Sequence, residues 1–107
     1  MDKKELLKSL KEKGFSEKII NAFKKTNRER FISPQDKENA YEDIPLSIGY
    51  GQTISQPYTI AFMLNLLDIK DKIDILEIGS GCGYVLELIS NLSPNSRIIG
   101  AEIIKKL

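Results

Sequence analysis

Ile73-Asp-Ile-Leu-Glu-Ile78, running directly into Gly79-Ser-Gly-Cys-Gly83, is the stretch that decides the fold. A short β-branched run stopped by glycines predicts a strand that enters a tight turn. Downstream, Val85, Leu86, Leu88 and Ile89 give Tyr84 to Leu92 a helical period, Ser93-Pro94-Asn95 is a turn, and Arg97 to Glu102 is a second strand. Strand, helix and strand together occupy residues 73–102, close to the roughly 30 residues of one βαβ unit. Parallel strands need such a crossover, and its right-handedness lays the helix over the sheet. The fold class is therefore α/β.

Upstream of the strand, Ser55 is an N-cap candidate and Pro57 sits in the first turn, where a missing N–H costs nothing. The helix that follows carries its buried stripe on Ile60, Ala61, Met63, Leu64 and Leu67, and Asp68 to Lys72 leads out of it. From Arg28 to Thr53 the helical period disappears among Pro34, Pro45, Gly49 and Gly51, which predicts an ordered loop with short strands near Tyr41 to Ile48. Two helices precede it. Leu6, Leu7 and Leu10 mark the first, which Gly14 stops, and Ser16 caps the second, whose apolar face is Ile19, Ile20 and Phe23. Ile103 to Leu107 is expected to open a further helix.

Composition narrows the chemistry. The chain has 107 residues, net charge +1, no histidine and one cysteine. Without imidazole the usual Ser-His-Asp and Cys-His relays and most zinc and iron sites are excluded, so no metal is expected. Cys82 alone forms no intramolecular disulfide, and Met1 to Leu10 alternates charge with leucine, so a cytoplasmic chain that neither is exported nor spans a membrane is expected. Residues 1–30 carry ten basic against five acidic side chains. These are interleaved with apolar residues at helical spacing and lack aromatic stacking platforms, which argues for a solvated helix face and against nucleic acid.

Glycines at 79, 81 and 83 let a backbone approach a ligand closely, with helix N–H groups facing it, and a nucleotide-like cofactor is the natural occupant. Two classes use such turns. Dinucleotide binders need G-x-G-x-x-G, but position 84 is Tyr. S-adenosyl-L-methionine (SAM) methyltransferases carry G-x-G-x-G after an acidic residue, and Glu77 stands two places before Gly79. Glu102 follows Gly83 by 19 residues, near the offset of about 20 at which an acid meets ribose hydroxyls. Glu77 is thus expected to bind the turn's N–H groups and to add negative potential near the sulfonium and amino groups of the cofactor, and Glu102 to hold the ribose. The alternative is two solvated strand-end acids around a structural turn.

Gly49-Tyr-Gly-Gln-Thr-Ile-Ser-Gln-Pro57, with Arg30-Phe-Ile-Ser-Pro34, Ala40-Tyr-Glu-Asp-Ile-Pro-Leu46 and Ile75-Leu-Glu-Ile-Gly-Ser-Gly-Cys-Gly-Tyr84, resembles the N-terminal half of the protein-L-isoaspartate O-methyltransferases from about Leu6 to Leu107. Ser47 and Cys82 depart from the family's common proline and serine, and neither removes a group assigned to chemistry. The resemblance implies a Rossmann-like SAM-dependent fold truncated after the second parallel strand, with an N-terminal helical subdomain and substrate loop over 1–54 and the SAM-binding part over 55–107. It implies methyl transfer from SAM to the free carboxylate of L-isoaspartyl residues in damaged proteins. It also implies Ser55 as the active-site residue, with Thr53, Ile54, Ser55, Glu77, Gly79, Ser80, Gly81, Gly83, Glu102 and Ile103 around the cofactor. From pattern alone, Ser55 is equally a plain N-cap. Cys82 lacks a partner base, and Tyr41, Tyr50 and Tyr58 are expected to pack the loop and groove. The second functional expectation is an inactive fragment that at most binds SAM or a partner chain, with self-association through an exposed apolar edge at Ile73 to Ile78.

Overall fold

Asp2 and Glu5 begin the structure, a computed structural model that describes residues 1–107. Asp2 accepts a hydrogen bond from the Glu5 N–H and Glu5 accepts one from the Asp2 N–H, a capping box that opens helix α1, Lys3–Glu12. Gly14 then turns the chain at φ +91°. Ser16 caps helix α2, Glu17–Lys25, by accepting from the Ile19 N–H at 3.3 Å. This helix buries Ile19, Ile20, Ala22 and Phe23, side chains whose full burial contributes about 1.5–3 kcal/mol for one the size of phenylalanine.

The stretch from Arg28 is an ordered loop, as expected, and its strands overlap only the end of the expected Tyr41 to Ile48, beginning at Leu46 and continuing past it to Ile54. Two 3-10 turns, Arg28–Arg30 and Pro34–Asn39, precede an antiparallel hairpin of β1, Leu46–Gly49, and β2, Gln52–Ile54. Tyr50 and Gly51 form its tip with φ of +56° and +70°, the two left-handed residues that match strand twist in a two-residue hairpin. Helix α3, Pro57–Leu67, starts one residue later than expected: Gln56 is the N-cap position, and no side chain of its own turn caps it. Asp43, from the loop, instead accepts the Tyr58 N–H at 2.8 Å. Ser55 is therefore not the cap.

The decisive stretch folds as a βαβ unit. Strand β3, Asp74–Ile78, pairs in parallel with β4, Arg97–Ala101, with Asp74 opposite Arg97 and Ile78 opposite Ala101, and α4, Tyr84–Leu92, crosses between them. Ser93 and Ser96 fasten its lower end, Ser93 Oγ donating to the Lys70 carbonyl and Ser96 Oγ accepting the Ile73 N–H. Ile103 to Leu107 forms a turn closed by the Leu107 N–H on the Ile104 carbonyl, not a helix. Ile103 is 94% exposed, so the first residue of the expected helix adds no packing to offset nucleation.

One cluster of 18 buried hydrophobic residues runs from Leu6 to Leu92, with α2 packed against α4. Buried Thr26 joins these two helices, donating to the Ala22 carbonyl and accepting from Asn91 Nδ2, each at 2.8 Å. Helix α4 covers one face of the β3–β4 sheet so closely that a Cβ on Gly100 would stand 2.4 Å from Leu86 Cδ1. The opposite face is open: Leu76, Ile78 and Ile99 are 62%, 77% and 55% exposed. The ladder is bracketed by Arg97 N–H on the Ile73 carbonyl and Gly79 N–H on the Ala101 carbonyl. Alternation then turns the backbone groups of Asp74, Leu76 and Ile78 to the outer edge of β3.

Candidate functional site

A largely apolar cavity of about 370 Å³ lies between the β2–α3 corner, the carboxyl end of β3 and the first turn of α4. Thr53, Ile54 and Ser55 form one wall, and Glu77, Gly79, Ser80 and Gly81 form the facing one. Residues read from two distant parts of the sequence are thus brought to one site. Gly83 stands just outside as the N-cap position of α4 at φ +90°, and Ile103 lies away from the cavity in solvent.

The turn needs its glycines for different reasons. Gly81, at φ +58°, has Ile48 Cδ1 only 3.2 Å from where a Cβ would be, so both conformation and space resist a side chain. Gly100, across the sheet, would place a Cβ 2.9 Å from Ser80 Cβ and Oγ. It keeps room for the glycine turn, although it lies outside the G-x-G-x-G pattern.

The turn's N–H is held by Glu102, not by Glu77. Glu102, one residue past β4, accepts the Gly81 N–H at 2.7 Å on Oε1 and the Ile104 N–H at 3.0 Å on Oε2. These backbone donors, Ile104 first, hold its carboxyl below the usual range. Glu77, expected to take the turn's N–H groups, has Oε1 buried without any partner. Burial pushes the Glu77 carboxyl up. Its position on the β3 face beneath α4 explains the difference: it points beside the turn into the cavity, and Glu102 approaches the turn from the neighbouring strand's end. A buried carboxylate oxygen without a donor calls for a cationic or N–H-bearing ligand group.

Ser55 is exposed on the cavity wall, and no intrachain hydrogen bond engages its hydroxyl. Its carbonyl accepts from Arg28 Nη2 at 3.1 Å. Burial raises the Cys82 thiol pKa, opposite to an activated nucleophile. Tyr41 donates to Glu29, Tyr50 is exposed at the hairpin tip, and Tyr58 stacks on Phe62 with Phe15 edge-on at 5.7 Å. Arg28 and Asp43 escaped the sequence reading. Arg28 is one of ten basic residues in the first thirty, and its burial has no period to announce it. No group of three or more His, Cys, Asp and Glu side chains is placed to hold a metal ion, and no helix is long and apolar enough to cross a membrane.

The family described as protein-L-isoaspartate(D-aspartate) O-methyltransferase matches residues 1–107. A protein-L-isoaspartate O-methyltransferase of Methanothrix thermoacetophila is 39% identical over all of this chain and 51% of its own length. Its namesake in Petrotoga mobilis is 51% identical over 78% of this chain and 39% of its own. Among solved structures, a Plasmodium falciparum protein assigned to the same activity, in complex with S-adenosyl-L-homocysteine, superposes with a TM-score of 0.84 at 31% identity. It is matched over 100% of this chain and 51% of that one. The chain spans about half the length of the relatives it matches. With its βαβ unit, glycine turn and Gly-Gln-Thr-Ile-Ser-Gln-Pro corner meeting at one cavity, and a match over every residue, the chain belongs to the protein-L-isoaspartate(D-aspartate) O-methyltransferase family.

Proposed function

We propose that this chain binds S-adenosyl-L-methionine in the cavity and serves methyl transfer to the free carboxylate of L-isoaspartyl residues in damaged proteins. The observation that carries this reading is the unpartnered, buried Glu77 Oε1 facing the same cavity as the free Ser55 hydroxyl. A ligand with ammonium and sulfonium charge fits that oxygen, the apolar walls fit its carbon skeleton, and the turn at Gly79 to Gly81 leaves the backbone approachable. The S-adenosyl-L-homocysteine held by the Plasmodium relative supports the same class of cofactor.

When bound, SAM supplies a methyl carbon carried on a sulfonium. A carboxylate oxygen of the isoaspartyl residue forms the new O–C bond as the C–S bond breaks with its electron pair to sulfur, giving a methyl ester and S-adenosyl-L-homocysteine. No proton moves, so the absence of histidine is no obstacle: a carboxylate is already ionised at neutral pH. The chain's own residues position and exclude. Ser55 Oγ donates to the incoming carboxylate and orients it, Glu77 draws the cationic end of the cofactor inward, and Glu102, with one lone pair on each oxygen still free, accepts from the ribose. Thr53 and Ile54 border the cofactor on the hairpin side. Transfer of labelled methyl to an isoaspartyl peptide, and not to its aspartyl twin, is the test.

The open β3–β4 face favours a second reading, in which the chain binds SAM without turnover and pairs with another copy. Leu76 and Ile78 present apolar side chains beside an unpaired strand edge, a template for a second strand. Sedimentation velocity is expected to show concentration-dependent dimers that Leu76→Lys dissociates. A wild-type chain that stays monomeric across the concentration range would remove this pairing.

A further inference from the structure

Arg28 is fully buried, with 0% of its surface exposed, yet it forms no ion pair within 4.0 Å. Its guanidinium instead gathers four carbonyls. Nη1 donates to Ala40 at 3.1 Å and Glu42 at 2.9 Å, and Nη2 donates to Ile44 at 2.8 Å and Ser55 at 3.1 Å. Its Cζ lies 5.9 Å from the ring centroid of Tyr84, the first residue of α4 after the glycine turn. Desolvating a cation is expensive, and a fork with two donor nitrogens in fixed geometry is what lets one side chain offset it on four acceptors.

These partners belong to separate segments. Ala40, Glu42 and Ile44 come from the loop before β1, Ser55 from the β2–α3 corner, and Tyr84 from the cofactor turn's exit. A core that needed only filling would use an apolar side chain here. We infer that Arg28 is a positioning residue, whose buried guanidinium fixes Ser55 and the 40–44 loop against the glycine turn; this rests on the reading of Ser55 given above. Arg28 touches no reacting atom. Asp43 reinforces it, since the same loop segment caps α3 through the Tyr58 N–H.

The test is hydrogen exchange on the full chain, read at the amides of Ala40, Glu42 and Tyr58, which bond to the Lys37 carbonyl, the Asn39 carbonyl and Asp43. In the wild type these three are expected to open together, with one protection factor, because one side chain holds their segment. Arg28→Lys, which keeps the charge and loses the fork, is expected to lower their protection at least tenfold relative to α4 amides. Thr26→Val, a buried change that removes the α2–α4 bond to Asn91 and the bond to the Ala22 carbonyl without touching the loop, is expected to leave that ratio unchanged. Independent exchange of the three amides in the wild type overturns the inference, without requiring any variant to fold. So does an unchanged ratio in Arg28→Lys, or an equal fall in Thr26→Val. Kinetics give a second readout: Arg28→Lys should raise KM for an isoaspartyl peptide about tenfold and move KM for SAM less than twofold, and equal shifts in both would count against positioning. A wild type that transfers no methyl defeats the proposed reaction, and the exchange result still decides the role of Arg28.

Discussion

Ser55→Ala is expected to lower methyl transfer to an isoaspartyl peptide by about 10–100-fold, the range for losing one hydrogen bond to a charged group. The hydroxyl has no partner within the chain and stands on the cavity wall facing the β3–turn side. It is thus free to donate to a carboxylate. A capping serine would behave differently. Helix α3 starts at Pro57 with Gln56 at its N-cap, and its Tyr58 N–H is taken by Asp43, so the alanine removes no helix bond. Thermal stability is therefore expected to stay within about 0.5 kcal/mol of wild type, and the affinity for SAM to change little, because the role proposed for the lost donor is to orient the incoming carboxylate. Steady-state kinetics with a thermal melt on the same sample separate these effects. A melt lowered by more than a few degrees would mean that Ser55 is structural after all.

Glu77→Gln should move stability and binding in opposite directions. Burial raises the Glu77 carboxyl pKa, and its Oε1 has no donor within the chain. A group whose folded pKa lies above its unfolded value favours the fold when protonated; that contribution is complete below the unfolded value near 4 and is lost as pH rises through the folded one. Wherever the side chain is ionised it is therefore a cost, and the neutral amide should make the chain more stable, by an amount that solvent screening of this half-buried group keeps under about 1 kcal/mol. The advantage should vanish below about pH 4, where glutamic acid is neutral too. Affinity for SAM should fall by about 10–100-fold, because a charge-assisted contact to the ligand's cationic end is gone. Titration calorimetry beside pH-dependent melts checks both signs. A variant that is less stable and binds SAM normally would show Glu77 to be an ordinary strand residue.

Both substitutions concern residues that the sequence pointed to, but their geometry was legible unequally. The βαβ unit was readable because its signals are local: β-branched spacing, glycines, a helical stripe and a second strand fall in thirty consecutive residues. The hairpin was not. Its tip needs two left-handed residues, and only Gly51 of Tyr50-Gly51 advertises that conformation. Ser55 carried a genuine cap signal, serine before proline, and was outcompeted by an aspartate twelve residues earlier that reaches α3 through space. Long-range hydrogen bonds of this kind leave no spacing to count.

The shift of the turn's N–H contact from Glu77 to Glu102 has the same origin. Both are acids at strand ends, and distance along the chain places either one near the turn. Which of them meets the Gly81 N–H depends on parallel register, Glu77 opposite Gly100 and Ile78 opposite Ala101, which only the paired strands define. Arg28 was invisible for a further reason. A basic residue in a basic segment is ordinarily solvated, and this one is buried because four carbonyls converge on it from sequence positions up to 27 residues away. The segment expected to be a helix over Ile103 to Leu107 is a single turn whose first residue lies in open solvent.

The most direct measurement is incorporation of labelled methyl from SAM into a synthetic peptide containing L-isoaspartate, run beside the same peptide with ordinary aspartate. The purified 107-residue chain is the only protein present. The account predicts base-labile label in the isoaspartyl peptide and none in its twin. No label in either, or equal label in both, would contradict it.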